Sequence, residues 1–145
     1  MILSGVAAIA NAQSIVGSWK KTDEVLTKEN GRTSNSFNML VKNMPCFANI
    51  VYIFSAGGKM DEQAKDCAPF LQKQVASQIK NSRWAMSGKK LIMDVADKSS
   101  PVQHAEYEVE FIGQNEMIWT FVYADNPGVP NITKAKQMKT TYIRQ

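Results

Sequence analysis

The sequence contains few of the residues from which most catalytic and metal sites are built. Its 145 residues include one histidine and two cysteines, too few for a four-ligand Cys/His zinc site or a His–His proton relay. No run of five Lys or Arg occurs, and 17 basic against 13 acidic residues leave a net charge of only +4. A nucleic-acid-binding patch is therefore not expected. The composition predicts a non-enzymatic protein with no cofactor, no metal and no nucleic-acid partner.

Charge is also missing from the first twelve residues, MILSGVAAIANA, which are almost wholly apolar or small. The segment is too short to span a bilayer, and it ends with small side chains at Ala10 and Ala12, as a signal-peptidase site does. We interpret residues 1–12 as the remnant of a signal peptide and residues 13–145 as one domain. The alternative is an ordinary apolar first strand. The protein is expected to be secreted or periplasmic and soluble, with no membrane span.

The two cysteines fit that compartment, because exported proteins form disulfides. Residues 50–54 are a short apolar strand before a Gly-rich turn. If Ala56 and Gly57 form the turn, the register of the hairpin places Cys46 directly opposite Cys67. Such a pair lies about 4.5 Å apart between Cα atoms, within the disulfide range. The sequence predicts a Cys46–Cys67 disulfide across the ladder, with two free buried thiols as the alternative.

Two segments have the periodicity of short amphipathic helices. Between residues 35 and 44 apolar side chains recur at i, i+3, i+4 and i+7, with Ser34 or Ser36 as a possible cap. Residues 69–80 place apolar side chains four apart. We expect the second helix to cover one end of the domain.

Most of the remaining chain reads as strands joined by turns. Residues 105–111 and 116–123 alternate apolar and polar side chains most clearly. Residues 15–26 begin apolar and become polar, as a strand running out into solvent does. Eight strand candidates predict an all-β fold, an eight-stranded up-and-down antiparallel barrel with one or two short helical insertions.

Two short motifs at the ends of the domain resemble those of the lipocalin superfamily, the calycins. They are Gly17-Ser18-Trp19 at the start of the first strand and Arg144 at the end of the last. In that superfamily the Trp plugs the closed end of the barrel and a basic residue lies across its face. More narrowly, the chain resembles bacterial lipocalin-like domains of exported proteins through an ordered set of positions: Cys46, Phe54, Gly57, Gly58, Cys67, Trp84, Gly88 and Leu91. It departs from them in its two helical insertions.

The resemblance implies a carrier that sequesters a small hydrophobic molecule, with or without an anionic group, in a barrel cavity. The candidate ligand-binding residues lie on the inward faces of the predicted strands: Trp84, Met86, Met93, Tyr107, Val109, Trp119, Phe121 and Tyr123. The spacing of residues in the sequence does not identify a Lys or Arg that would pair with an anionic group of the ligand. Two alternatives remain open. One is a filled barrel that binds a protein partner through residues 37–44 and 125–133, and the other is a carrier like the fatty-acid-binding proteins.

We interpret the remaining residues that could take part in catalysis or metal binding as ordinary surface residues. His104 precedes the clearest strand and is expected to be a surface histidine at a strand end. The carboxylates of Asp61, Glu62 and Asp66 lack a Gly-containing calcium loop. We interpret them as an exposed hairpin edge.

Overall fold

A computed structural model describes residues 14–96, 98, 100 and 102–145. The expected signal-peptide remnant, residues 1–12, lies outside the described residues. Within the described ranges, no helix has both the length and the apolar character needed to cross a membrane.

Strands and two short helices account for most of the described chain. The strands are β1 Gly17–Lys28, β2 Thr33–Asn35, β3 Val51–Phe54, β4 Met60–Gln63, β5 Ser82–Ser87, β6 Lys90–Val95, β7 His104–Ile112, β8 Glu116–Val122 and β9 Ala135–Arg144. The helices are α1 Ser36–Asn43 and α2 Pro69–Lys80, together with 3₁₀ helices at Pro45–Asn49 and Tyr123–Asp125.

The strands form one antiparallel sheet in the order β4-β3-β1-β9-β8-β7-β6-β5, with β2 paired to β1 outside this path. The two edge strands approach each other where a single bridge joins Lys59 to Arg83. The backbone N–H of Trp84 donates to Gly58 O at 3.0 Å and its indole Nε1 donates to Lys59 O at 3.1 Å. The predicted all-β fold is confirmed: the path contains eight strands and forms a nearly closed antiparallel barrel.

Cross-strand pairing defines the inner face of the barrel, because residues directly opposite in a ladder share a face. Trp84 pairs with Met93, and Val109 pairs with Trp119. The largest buried cluster contains Trp19, Phe54, Leu91, Val109, Met117 and Trp119, with other lumen-facing side chains packed against it. The predicted alternation of strands β7 and β8 therefore holds.

Both predicted helices are present, but the cap of the first is neither serine. Asn35 is the N-cap of α1, and its Oδ1 accepts a hydrogen bond from the backbone N–H of Asn38 at 2.9 Å. The side chain of Ser36 instead bonds to Glu24. An Asn competes well with Ser at this position because its carbonyl reaches the first free N–H groups of the helix.

The predicted Cys46–Cys67 disulfide is present, with a Cα–Cα distance of 5.1 Å, but its predicted position across the ladder is wrong. Phe54 pairs with Met60, so the turn is one residue longer than expected. The register then no longer places the cysteines opposite each other. Cys46 lies in the first 3₁₀ helix and Cys67 in the loop before α2, so the bridge ties these two segments together beyond the hairpin.

Candidate functional site

The barrel end at which β1 begins is filled by Trp19, which is fully buried. Its indole Nε1 donates to Ile15 O at 2.8 Å, and the guanidinium carbon of Arg144 lies 4.2 Å from its ring centroid. Such a cation–π contact contributes about 0.5–2 kcal/mol. The guanidinium also donates to three backbone carbonyls, those of Ser14, Val16 and Gln114, at 3.0–3.1 Å. Each of the three guanidinium nitrogens therefore donates to one backbone carbonyl at this closed end.

Gly17 is required for this packing. Its φ is +137°, a conformation that side chains rarely adopt, and a Cβ atom there would lie 2.6 Å from Nη1 of Arg144. The Gly-x-Trp motif therefore has a physical basis here: the glycine leaves room for the arginine that covers the tryptophan.

Deeper in the barrel, β1 places an ion pair on the inner face. Lys21 Nζ lies 3.1 Å from Glu24 Oε2, and the two side chains are only 20% and 18% exposed. A bulge between Lys21 and Asp23 adds one residue to β1, which turns both members of the pair inward although they are three residues apart. The expectation that the polar half of this strand runs out into solvent is therefore wrong.

Hydrogen bonds hold the carboxylate of Glu24 from both sides. Ser36 Oγ donates to its Oε1 at 2.6 Å, and Thr140 Oγ1 lies 3.4 Å from its Oε2. Burial by itself would raise the pKa of Glu24, but Lys21 and these hydroxyls lower it below its usual value. Burial would likewise lower the pKa of Lys21, but nearby Tyr142 and Glu24 raise it. Both groups are therefore charged at neutral pH.

Aromatic rings extend from this ion pair across the lumen, with Trp119 at their centre. The ring centroid of Trp119 lies 4.7 Å from that of Tyr142, 5.1 Å from that of Tyr107 and 5.7 Å from that of Phe54. Further ring contacts extend this cluster to Tyr52, Trp84, Phe121 and Tyr123. The cluster links the closed end of the barrel to its opposite end.

Three of these residues, Tyr52, Tyr107 and Tyr142, are called the lumen tyrosines below. Burial raises the pKa of each phenol, so all three are neutral donors at pH 7. Among the described residues, no partner accepts a hydrogen bond from their hydroxyls, and no fully inaccessible side-chain N or O atom is left without a partner. The three hydroxyls therefore reach space that water can occupy.

A cleft of about 360 Å³ opens beside this cluster, under the C-terminal half of α2. Tyr107 forms part of its wall, and most of the rest is apolar: Ile79, Met93, Val95, Val102 and Ala105. The volume falls within the range of small-molecule sites. A second groove, of about 520 Å³, is lined by charged side chains including Lys89, Lys90, Glu106 and Glu108. Because these carboxylates lie on the polar face of β7, the groove suits water better than an apolar ligand.

The structure brings the predicted ligand-binding residues together on one inner surface, in two groups. Trp84, Met86, Met93 and Tyr107 are partly buried and pack against the core, whereas Val109, Trp119 and Phe121 are buried within it. Tyr123 begins the second 3₁₀ helix and packs edge-on against Phe121. Only Met93 and Tyr107 of the set line the cleft under α2.

Sequence reasoning missed the ion pair, although one signal was available. An inward Trp19 predicts that Lys21, two residues on, shares its face. The bulge that brings Glu24 to that face has no comparable sequence signal. A second lumen carboxylate was also misplaced: Glu62 pairs directly with Tyr52 and is half-buried, while Asp61 and Asp66 are exposed as expected.

His104 is a surface residue at the start of β7, as expected. Its Nδ1 lies 2.6 Å from Asp94 Oδ1, and both side chains are largely exposed.

Comparison with known proteins gives no match: no family model fits the chain, and no curated protein and no solved structure is detectably similar. The structure defines this protein as a nearly closed eight-stranded antiparallel β-barrel with one disulfide. Such a barrel is compatible with a lipocalin.

Proposed function

We propose that the protein is an exported, lipocalin-like binding protein that sequesters or carries a small hydrophobic molecule in its barrel lumen. The observation that carries this proposal is the cleft of about 360 Å³ under α2, which joins an apolar wall to the lumen tyrosines through Tyr107. Burying the apolar part of a ligand there would contribute roughly 25 cal/mol per Å² before the costs of association. The disulfide supports export, because such bonds persist in oxidising compartments.

The cover of the cleft supports the same proposal. Helix α2 packs through Val75 and Leu71 on a small apolar cluster that also contains both cysteines. The disulfide therefore fixes the beginning of the helix, while Ile79 near its end lines the cleft. The cleft opens to the surface beside this end of the helix, which gives a ligand a route to its apolar wall.

The proposal is tested by calorimetric titration of the purified protein with fatty acids, fatty alcohols, retinoids, isoprenoids and haem. We expect saturable binding of at least one class, with a change in tryptophan emission, because Trp119 lies inside the aromatic cluster. Filling the cleft by Val102→Trp should weaken that binding about tenfold, the loss expected when one good apolar contact is replaced by a clash.

The matched control is Ile112→Trp, which adds the same bulk at an exposed position at the end of β7. This variant should bind as the wild type does. Absence of saturable binding across the whole panel, or equal binding by both variants, would contradict a ligand site under α2.

A second function, a protein-interaction module, is favoured by one observation. Met39 on α1 and Ile132 in the loop before β9 are 63% and 93% exposed, although both are large and apolar. They lie in the two segments predicted to bind a partner. If this is the function, a defined partner captured from the source envelope should be lost with Met39→Gln plus Ile132→Gln while lumen titrations stay silent.

A further inference from the structure

The lumen contains more hydrogen-bond donors than the protein uses. Lys21 carries three N–H groups, and within the described chain its ammonium has one hydrogen-bond acceptor, Glu24 Oε2. Because the side chain is 20% exposed, the other two N–H groups are open to water or to a ligand. An ammonium in this position is costly to bury unless its remaining donors are matched.

The lumen tyrosines add three more unmatched donors beside it. Tyr142 lies directly opposite Lys21 in the β1–β9 ladder, so the two side chains share the inner face. Tyr52 contacts Tyr142 edge to face, with ring centroids 6.1 Å apart. Tyr107 is the member of the three that also forms part of the cleft wall.

The lumen has fewer hydrogen-bond acceptors than donors. Both oxygens of Glu24 already accept hydrogen bonds, one from Ser36 and the other from Lys21 and Thr140. Among the described residues, the half-buried carboxylate of Glu62, opposite Tyr52, is the other acidic side chain facing the lumen tyrosines. Its own burial and its exposed neighbour Asp61 raise the pKa of Glu62.

We propose that the lumen binds the carboxylate of an amphipathic monocarboxylic acid, using the Lys21 ammonium and the lumen tyrosines as donors. The apolar chain of the acid lies in the cleft under α2, and Tyr107 stands where the two parts meet. This inference rests on the proposed ligand-binding function and specifies its ligand class.

A carboxylate fits this donor set better than the other common headgroups. An alcohol supplies one oxygen, which would leave most of the donors unmatched. A phosphate monoester brings nearly two negative charges to a site whose one cation is already paired with Glu24, so the cost of desolvating those charges would exceed the gain. A carboxylate brings one charge and about four acceptor positions, close to the five free donors.

The test compares ligands that differ only in the headgroup: decanoate, 1-decanol and methyl decanoate, titrated calorimetrically at pH 7. The wild type is expected to bind decanoate at least tenfold more tightly than the alcohol or the ester. Lys21→Met should weaken decanoate binding about 30-fold, as expected when a hydrogen bond to a charged group is lost. The same variant should change decanol binding by less than about threefold.

Two further variants make the result interpretable. Lys20→Met removes the neighbouring lysine, which pairs with Val51 and Ile143 on the outer face, and should leave both affinities unchanged. Tyr107→Phe removes one hydroxyl and keeps the ring packing, so it tests the headgroup site even if Lys21→Met folds poorly. It should weaken decanoate binding about fivefold.

The outcomes separate this inference from the function on which it rests. Equal binding of acid, alcohol and ester, unchanged by Lys21→Met and Tyr107→Phe, would overturn the carboxylate site and leave the hydrophobic carrier intact. Failure of all three to bind, together with silence across the wider ligand panel, would overturn both.

Discussion

The two ends of the barrel solve the problem of buried polar groups in opposite ways. At the closed end, the guanidinium of Arg144 donates to three backbone carbonyls and lies over the face of Trp19, in the space that Gly17 leaves open. In the lumen, Lys21 has one acceptor among the residues described and the lumen tyrosines have none. Every guanidinium nitrogen has a protein partner at the closed end, which is called saturated below, whereas the lumen tyrosine hydroxyls have none among the described residues.

This difference separates what holds the barrel together from what it can bind. A saturated cluster contributes to the free energy of unfolding and has nothing left to offer a ligand. Unmatched donors beside an apolar cleft contribute little to stability, because each gives up part of its hydration without a protein partner in return. Variants at the closed end should therefore affect stability, and variants that remove only the unmatched lumen donors should affect binding.

The largest expected effect is at the closed end. Trp19→Ala removes a fully buried aromatic side chain and the surface on which Arg144 rests, so the free energy of unfolding should fall by about 4 kcal/mol. Urea unfolding followed by circular dichroism measures the loss. Val16→Ala, at an exposed neighbouring position, should cost less than about 0.5 kcal/mol. A loss for Trp19→Ala below about 1 kcal/mol would show that this end does not stabilise the barrel.

Next in size is the disulfide, which lies toward the opposite end from Trp19. Replacing Cys46 and Cys67 by Ala removes a link across 21 residues and should lower the free energy of unfolding by about 3 kcal/mol in the chain-entropy model. Because α2 begins next to Cys67, amide exchange in α2 should also speed up. Unchanged exchange in α2 would argue that the bridge does not hold the helix.

Removing one charge of the lumen pair should have an intermediate, pH-dependent effect. Glu24→Gln leaves the ammonium of Lys21 without its counter-charge and should cost about 2 kcal/mol at pH 7. The native pKa of Glu24 lies below its unfolded value of about 4.3, so the carboxylate stabilises the fold above that pH and loses its effect as the pH falls.

The free energies of unfolding of wild type and Glu24→Gln should therefore converge below about pH 4. Urea titrations at several pH values measure this. A difference between the two proteins that stays constant from pH 7 to pH 3 would rule out an ionised, stabilising Glu24.

The smallest effect is expected when both charges are removed together. Lys21→Met with Glu24→Gln should unfold within about 1 kcal/mol of the wild type, because replacing a whole buried ion pair is often neutral. The double variant is therefore less damaged than Glu24→Gln alone. A loss of several kcal/mol in the double variant would contradict this, and would show that the ion pair stabilises the fold as the closed end does.

The sequence could predict the barrel because apolar and polar side chains alternate along its strands. Alternation along β7 and β8, the periodicity of α2 and the Gly-x-Trp motif each report local geometry within a few residues. The hairpin register failed for a physical reason: a turn that includes Gly58 as well as Gly57 is one residue longer, and no local pattern distinguishes the two lengths.

The candidate site was only half predictable. Its aromatic wall follows from strand alternation, so residues such as Tyr107 and Trp119 were placed correctly on the inner face. Lys21 and Glu24 look like the solvated half of a strand, and a single bulge turns both of them inward. Bulges depend on the fit between two neighbouring strands, which a single strand's sequence does not encode.

Methionine-methyl NMR tests the contrast between the two ends most directly, because methionines lie in both. Met93 lines the cleft under α2, whereas Met117 is fully buried in the main core cluster with Trp19. On titration with decanoate, the methyl resonance of Met93 should shift saturably while that of Met117 stays in place. Equal shifts of both resonances, or no shift of Met93 at saturating decanoate, would contradict a binding lumen above a saturated closed end.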